Sequence, residues 1–342
     1  MRKKILIALG IPLALGLLLV LGLYLWARSY GSTPAIGSGA TVAVDVPAGA
    51  GPRRVAALLA EKKIVDDPDH FYYYLRFFRR EAGNLKSGEL AFRDNMTPDE
   101  AIQVLLDGTP ITHRVTVPEG LRLDEVAKVF ADADLADAQA FERRARDREF
   151  CASLGVPAPS LEGFLLPQTY AFRKHTPVDE ILKTMVAEYR KVFSPKYAAR
   201  ARELSLSELE VVTLASIVEK ETGDARERPR IAGVFHNRLK KGWKLQTDPS
   251  VIYAKILATG KIDTTIYRTD LERDHPYNTY RYPGLPPGPI CNPGAAAIEA
   301  ALWPEETEFM FFVSKNNGTH EFCKDLGCHN RAVNLYQRRG QP

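Results

Sequence analysis

The strongest pattern in the chain is an uncharged apolar run over residues 5–26. It matches the about 20 residues that a helix needs to cross a hydrocarbon core. The next stretch, SYGSTPAIGSGAT over 29–41, is small, polar and glycine-rich, and reads as a flexible tether. Alternating segments then predict strands ending in Pro-x-Gly turns, each followed by an apolar-periodic helix. VDVPAG at 44–49 recurs as VTVPEG at 115–120, an offset of 71 residues (115 − 44). Val55, Ala56 and Ile64 after the first copy correspond to Val126, Ala127 and Leu135 after the second. Between the copies, HFYYYLRFFRR at 70–80 reads as an aromatic core stripe beneath an arginine-capped face. TPDEAIQVLLDG at 97–108 predicts a helix with Thr97 as N-cap, Glu100 completing a capping box and Gly108 as stop.

From about residue 155 the texture changes. An apolar turn, LEGFLLP, precedes an aromatic strand at 169–172. Helices are expected over 178–194, 206–222 and 229–241, then glycine- and proline-rich loops and a last strand at 309–313. The expected class is α+β. The expected parts are a cytoplasmic stub and transmembrane anchor (1–28), a linker (29–41), a small α+β region (42–155) and a larger domain (156–342).

Composition narrows this picture in three places. A net charge of +4 is too weak to argue for nucleic acid, where basic residues cluster on one face. Arg2, Lys3 and Lys4 before the apolar run place the N-terminus in the cytoplasm and the rest of the chain outside. Tyr24 and Trp26 close the run like interfacial anchors, and its length and the lack of a small-x-small site argue against a cleaved signal peptide. Four cysteines, Cys151, Cys291, Cys323 and Cys328, then lie on the oxidising side. Cys323 and Cys328 are near enough to pair, with free thiols or a zinc site beside His320 and His329 as alternatives.

The candidate chemistry centres on SLSELEVVTLASIVEKET, residues 205–222. Ser205 with Glu208, or Ser207 with Glu210, starts a helix that is apolar nearly all round and therefore buried. It ends in Glu219-Lys220-Glu221. At about 100° per residue the two carboxylates leave the helix about 200° apart. Glu219 lies over Val212 and beside Ala215, and loss of hydration there favours the protonated form that a general acid needs. Asp224, Asp248 and Asp263 are candidates for the second carboxylate of an ordinary glycosidase. The segments Gln246-Thr247-Asp248, Tyr277-Asn278-Thr279-Tyr280 and Asn292 offer amides, hydroxyls and rings of the kind that bind sugars. No G-x-S-x-G elbow, H-E-x-x-H, phosphate loop or dinucleotide fingerprint is present.

Six ordered segments carry a resemblance: LEGFLLPQTY (161–170), LASIVEKET (214–222), FHNRL (235–239), LQTDPSVIY (245–253), YNTY (277–280) and GLPPGPICNPG (284–294). With the N-terminal span, the chain resembles the endolytic murein transglycosylase, or YceG-like, family. The resemblance implies a LysM-like module before an α/β-type catalytic domain, and no metal or cofactor. It implies cleavage of the β-1,4 bond between N-acetylmuramic acid and N-acetylglucosamine in nascent peptidoglycan strands at the inner membrane, leaving 1,6-anhydro ends, in the company of peptidoglycan synthases. It assigns catalysis to the first glutamate of V-E-K-E-T, Glu219. Substrate contacts are expected from Gln246, Thr247, Asp248, Tyr277, Asn278, Tyr280 and Asn292. The alternative is a non-catalytic peptidoglycan-binding scaffold. The segment Cys323–Cys328 before His329-Asn330 departs from the family pattern.

Overall fold

The two copies of the sequence repeat fold alike. β1 (Thr41–Val46) leads through a turn to α2 (Pro52–Glu61), and β3 (Thr112–Thr116) leads through a turn to α5 (Leu123–Asp132), so strand starts and helix bounds keep the 71-residue offset. Gly49 and Gly120 close these turns at φ of +73° and +77°, a conformation that only glycine adopts without cost. Val55, Ala56 and Ile64 are buried, and so are Val126, Ala127 and Leu135. The computed structural model describes residues 2–338, with side chains from residue 12 onward.

The chain parts into two units: residues 1–113 with 173–175, and residues 114–172 with 176–342. The break between these units falls about where β3 begins. The second copy of the repeat buries its apolar face in the core of the second unit, because Val115, Val117, Val126 and Phe130 pack with Leu161, Phe164 and Leu182.

The first unit begins with α1 (Arg2–Ser32). Its stretch Pro12–Ser32 is long and apolar enough to cross a membrane, and nearly all of it is exposed. The side chains of Arg2, Lys3 and Lys4, the expected topology signal, lie outside the described residues. The segment expected to be a loose tether is tied down, since the Asp94 carboxylate accepts hydrogen bonds from Ser38, Gly39 and Ala40 backbone N–H groups. β1 pairs antiparallel with β2 (Gly88–Arg93). Between them lie α2, α3 (Pro68–Tyr73) and a wide turn over Tyr74–Arg79. α4 (Pro98–Asp107) follows, with the expected Thr97–Glu100 capping box. Leu59, Phe71, Leu90, Phe92 and Ile102 form the core. The aromatic stripe splits: Phe71 and Tyr74 are buried, whereas Tyr73, Phe77 and Phe78 are exposed.

In the second unit, β3 pairs with β4 (Thr169–Arg173). The same unit holds α6 (Ala138–Ala145), α7 (Arg148–Ser153), α8 (Val178–Val192) and α9 (Pro195–Glu203). The central helix α10 (Glu208–Glu221) is followed by α11 (Arg228–Lys240), α12 (Asp248–Thr259), α13 (Arg268–Leu271) and α14 (Ala295–Leu302). An antiparallel hairpin of β5 (Phe311–Ser314) and β6 (His320–Cys323) leads to α15 (Leu326–Val333). A disulfide joins Cys323 to Cys328, while Cys151 and Cys291 are buried thiols. The architecture is mixed α+β.

Candidate active site

α10 is built as its sequence implies. Ser207, not Ser205, caps it, with Glu210 closing the box, and Ser205 sits before it at φ +58°. Every side chain from Val211 to Val218 is buried. Small residues on α14, among them Ala297 and Ala301, let the two helices pack closely. The proline-rich loop is lashed to α10, because Ile290 N–H donates to Ser216 Oγ at 3.0 Å. A helix held on all sides fixes where its last three residues point.

Glu219 and Glu221 do point apart. Glu219 turns to Arg228, whose Nη2 donates to its Oε1 at 2.9 Å, and to Gly294, whose N–H donates to its Oε2 at 3.0 Å. The same Nη2 reaches Glu119 of the second repeat turn at 3.1 Å. A Cβ at residue 294 would meet the Glu119 carboxylate, which would have to shift to make room. The Glu219 side chain is 6% exposed. It is thus a clamped carboxylate rather than one among apolar neighbours, and it does not line the cleft described next.

Glu221 faces a cleft of about 460 Å³, together with Arg238, Gln246, Asp248, Tyr280 and His329. Burial, and then the nearby Asp248 charge, push its carboxyl up to about 8, against the opposing pull of Arg238 and of a hydrogen bond with Thr247. Arg238 comes from α11 and is itself buried, its Nε donating to the Met310 carbonyl at 2.8 Å and its Nη1 to the Leu245 carbonyl. Asp248 opens α12 and accepts the Tyr280 hydroxyl at 2.6 Å. Gln246, at φ +49°, is exposed on the rim.

The far wall comes from the β5–β6 hairpin and α15. His320 is held by Glu227, with its Nδ1 2.7 Å from a carboxylate oxygen. The His329 ring packs on Phe311 with centroids 5.1 Å apart, and its buried Nδ1 has no partner. Burial and Arg238 lower its proton affinity, so it is neutral at pH 7. Among the described residues no three His, Cys, Asp or Glu side chains are grouped as a metal would need.

Of the seven residues expected to touch a glycan, Gln246, Asp248 and Tyr280 line the cleft. Thr247 is buried behind it and caps α12. Tyr277 packs against Tyr253, with ring centroids 5.0 Å apart, and is not on the lining. Asn278 and Asn292 are fully buried. The Asn278 amide donates to the carbonyls of Leu271 and Arg273 and accepts from Tyr280 N–H. Asn292 Oδ1 accepts from the N–H groups of Gly163 and Leu165, and its Nδ2 donates to the Leu121 carbonyl. These two amides satisfy backbone groups that burial would otherwise strand, and they have nothing left to offer a ligand. Arg238 and His329 were missed. Both lay in motif segments, FHNRL and the final His-Asn, but nothing in sequence shows which side of an element faces the cleft.

A carboxyl pushed up to about 8, set in an open cleft of amide, hydroxyl and aromatic groups, is the equipment that acid/base chemistry on a polar ligand requires. The YceG-like family profile matches residues 44–335, and the chain belongs to that family. It is 32% identical over 329 residues to an endolytic murein transglycosylase of Bacillus subtilis, covering 92% of this chain and 89% of that protein. It is 28% identical to the endolytic murein transglycosylase of Streptococcus pneumoniae strain D39, covering 85% of this chain and 58% of that longer protein. A crystal structure of a yceG-like protein from Listeria monocytogenes superposes with a TM-score of 0.58 at 32% identity, covering 86% of this chain and 99% of that one.

Proposed function

We propose that this protein is a lytic transglycosylase that cuts peptidoglycan glycan strands internally, and that Glu221 rather than Glu219 carries the proton. Membership of the family supports the reaction class. The observation that carries the residue assignment is the raised Glu221 carboxyl on the cleft wall, set against the Arg228-clamped Glu219 outside it.

The protonated Glu221 gives its proton to the oxygen of the β-1,4 bond between N-acetylmuramic acid and N-acetylglucosamine as the C1–O bond breaks. The resulting carboxylate takes the proton of the C6 hydroxyl on the same muramic acid. O6 then bonds to C1, leaving a 1,6-anhydro end and restoring the acid. One carboxyl serves both steps, and water is not consumed. Tyr280 holds Asp248 beside the acid, and the Asp248 charge favours the protonated start state. Gln246 and His329 offer hydrogen bonds to the sugar, and the Phe311 and Phe312 rings provide apolar walls.

α1 would hold the enzyme in the inner membrane by a single span, with the N-terminus inside and both units outside. There it would meet nascent strands beside the synthases and end their elongation, with the first unit serving as a LysM-like glycan-binding module. A second reading has a specific observation behind it: Asp248 shares the cleft with Glu221, as an ordinary hydrolase requires. Mass spectra of strands cut by the enzyme decide between them. Anhydro-muramic ends support the transglycosylase, and reducing ends would replace it with a hydrolase.

A further inference from the structure

The exposed half of the aromatic stripe has no role in the cleft. Tyr73, Phe77 and Phe78 are 44%, 59% and 40% exposed. Three exposed rings within six residues form a patch that soluble surfaces seldom carry. The patch lies against the end of the apolar helix. Trp26 meets Phe78 with ring centroids 5.9 Å apart, and Tyr30, one turn on, meets Tyr74 at 5.4 Å. Leu23, Trp26, Tyr73, Phe77 and Phe78 line a shallow cavity of about 570 Å³. Arg76 and Arg80 are exposed beside these rings, and Arg79 is half-buried.

We infer that the segment around Tyr73, Phe77 and Phe78 rests in the headgroup boundary of the phospholipid bilayer that α1 crosses, making the first unit membrane-seated rather than merely tethered. The inference rests on the reading of α1 as a membrane span. Leu23 and Trp26 end that span, so they lie at the depth where apolar chains give way to headgroups. Side chains that touch Leu23 and Trp26 share that depth. Aromatic rings with arginines between them suit it, because rings bury at the interface while guanidinium groups meet lipid phosphates. The same rings left in water would keep an apolar cavity open to solvent at the membrane surface. α1 reaches Ser32 without a break, and Trp26 and Tyr30 pack on the first unit, so the unit cannot swing away from the bilayer on a loose linker.

The test uses the full chain in vesicles of phosphatidylcholine and phosphatidylglycerol, with nitroxide labels at Phe77→Cys, Leu17→Cys and Ile36→Cys in separate proteins. The native thiols are buried or paired. Collision with oxygen, which concentrates in lipid, and with a water-soluble nickel chelate reports depth. The label at 77 should lose nickel access relative to the label at 36, a fully solvated position, and sit shallower than the label at 17. Equal nickel access at 77 and 36, with 17 still shielded, would overturn the inference and leave the span intact. Nickel access at 17 would remove the span, and the inference with it.

Discussion

Glu219 and Glu221 leave the end of one helix two residues apart and meet opposite surroundings: Glu219 is clamped by Arg228 at 2.9 Å, and Glu221 looks into the cleft beside Asp248 and Arg238. On the proposed reading, the first serves the packing of the repeat turn and the proline-rich loop, and the second the chemistry. Gln at 219 keeps the shape but loses the charge that Arg228 pairs with. Glu219→Gln is expected to cost about 1–3 kcal/mol of stability, the range for a buried charged hydrogen-bond partner, and to keep cleavage within a few-fold at temperatures where it is folded. Thermal unfolding in detergent and a strand-cleavage assay measure the two effects.

The pH profile follows from the raised carboxyl. Catalysis needs Glu221 protonated at the start, so kcat/KM should fall as pH rises through about 8. Stability moves in the same direction. A folded value of about 8 against 4.5 unfolded means that the folded state holds a proton over that window. The stabilisation is complete below about 4.5 and is lost as pH rises through about 8. Buried Glu162, pushed up to about 7 by desolvation, adds the same sign. Glu221→Gln should flatten the decline of Tm between these pH values in part, since the Glu162 share remains.

Asn292 is expected to be a stability residue. In Asn292→Ala the N–H groups of Gly163 and Leu165 lose their acceptor, at about 1–3 kcal/mol each. Denaturant titration should show a loss of this order. A fully stable variant with weakened glycan binding would instead return Asn292 to the substrate.

How much of this was legible in the sequence differs element by element. The repeat at 44–49 and 115–120 announced both strand–turn–helix units and their core residues, because burial periodicity and a positive-φ glycine are local requirements. The capping boxes of α4 and α10 were local in the same way, as was the opposed direction of Glu219 and Glu221. Which of the two faces the cleft was not, since Arg228 and Gly294 arrive from other elements. Asn278 and Asn292 are ambiguous in sequence for a related reason: an amide that binds sugar and an amide that satisfies a stranded backbone are chemically identical. Phe77 and Phe78 read as core in sequence, because ring and charge spacing alone does not show which rings the fold leaves exposed.

His329 lines the cleft, and its buried Nδ1 has no partner. His329→Ala should lower kcat/KM about tenfold, the factor for one hydrogen bond of about 1.4 kcal/mol, with the basic limb of the pH profile unmoved. Steady-state kinetics on purified glycan strands at several pH values measure both. A shift of the limb would mean that the histidine titrates in the reaction itself.

The central claim is that the proton belongs to Glu221, and turnover of purified, uncrosslinked glycan strands by Glu221→Gln and Glu219→Gln, with products read by mass spectrometry, tests it most directly. Glu221→Gln should fold, bind strands and lose cleavage by at least about 10²-fold, the lower scale for removing a general acid/base. Glu219→Gln should still release fragments that end in 1,6-anhydro-N-acetylmuramic acid. Retained cleavage in Glu221→Gln, with loss of cleavage in a folded Glu219→Gln, would contradict the account and move the acid to the clamped carboxylate.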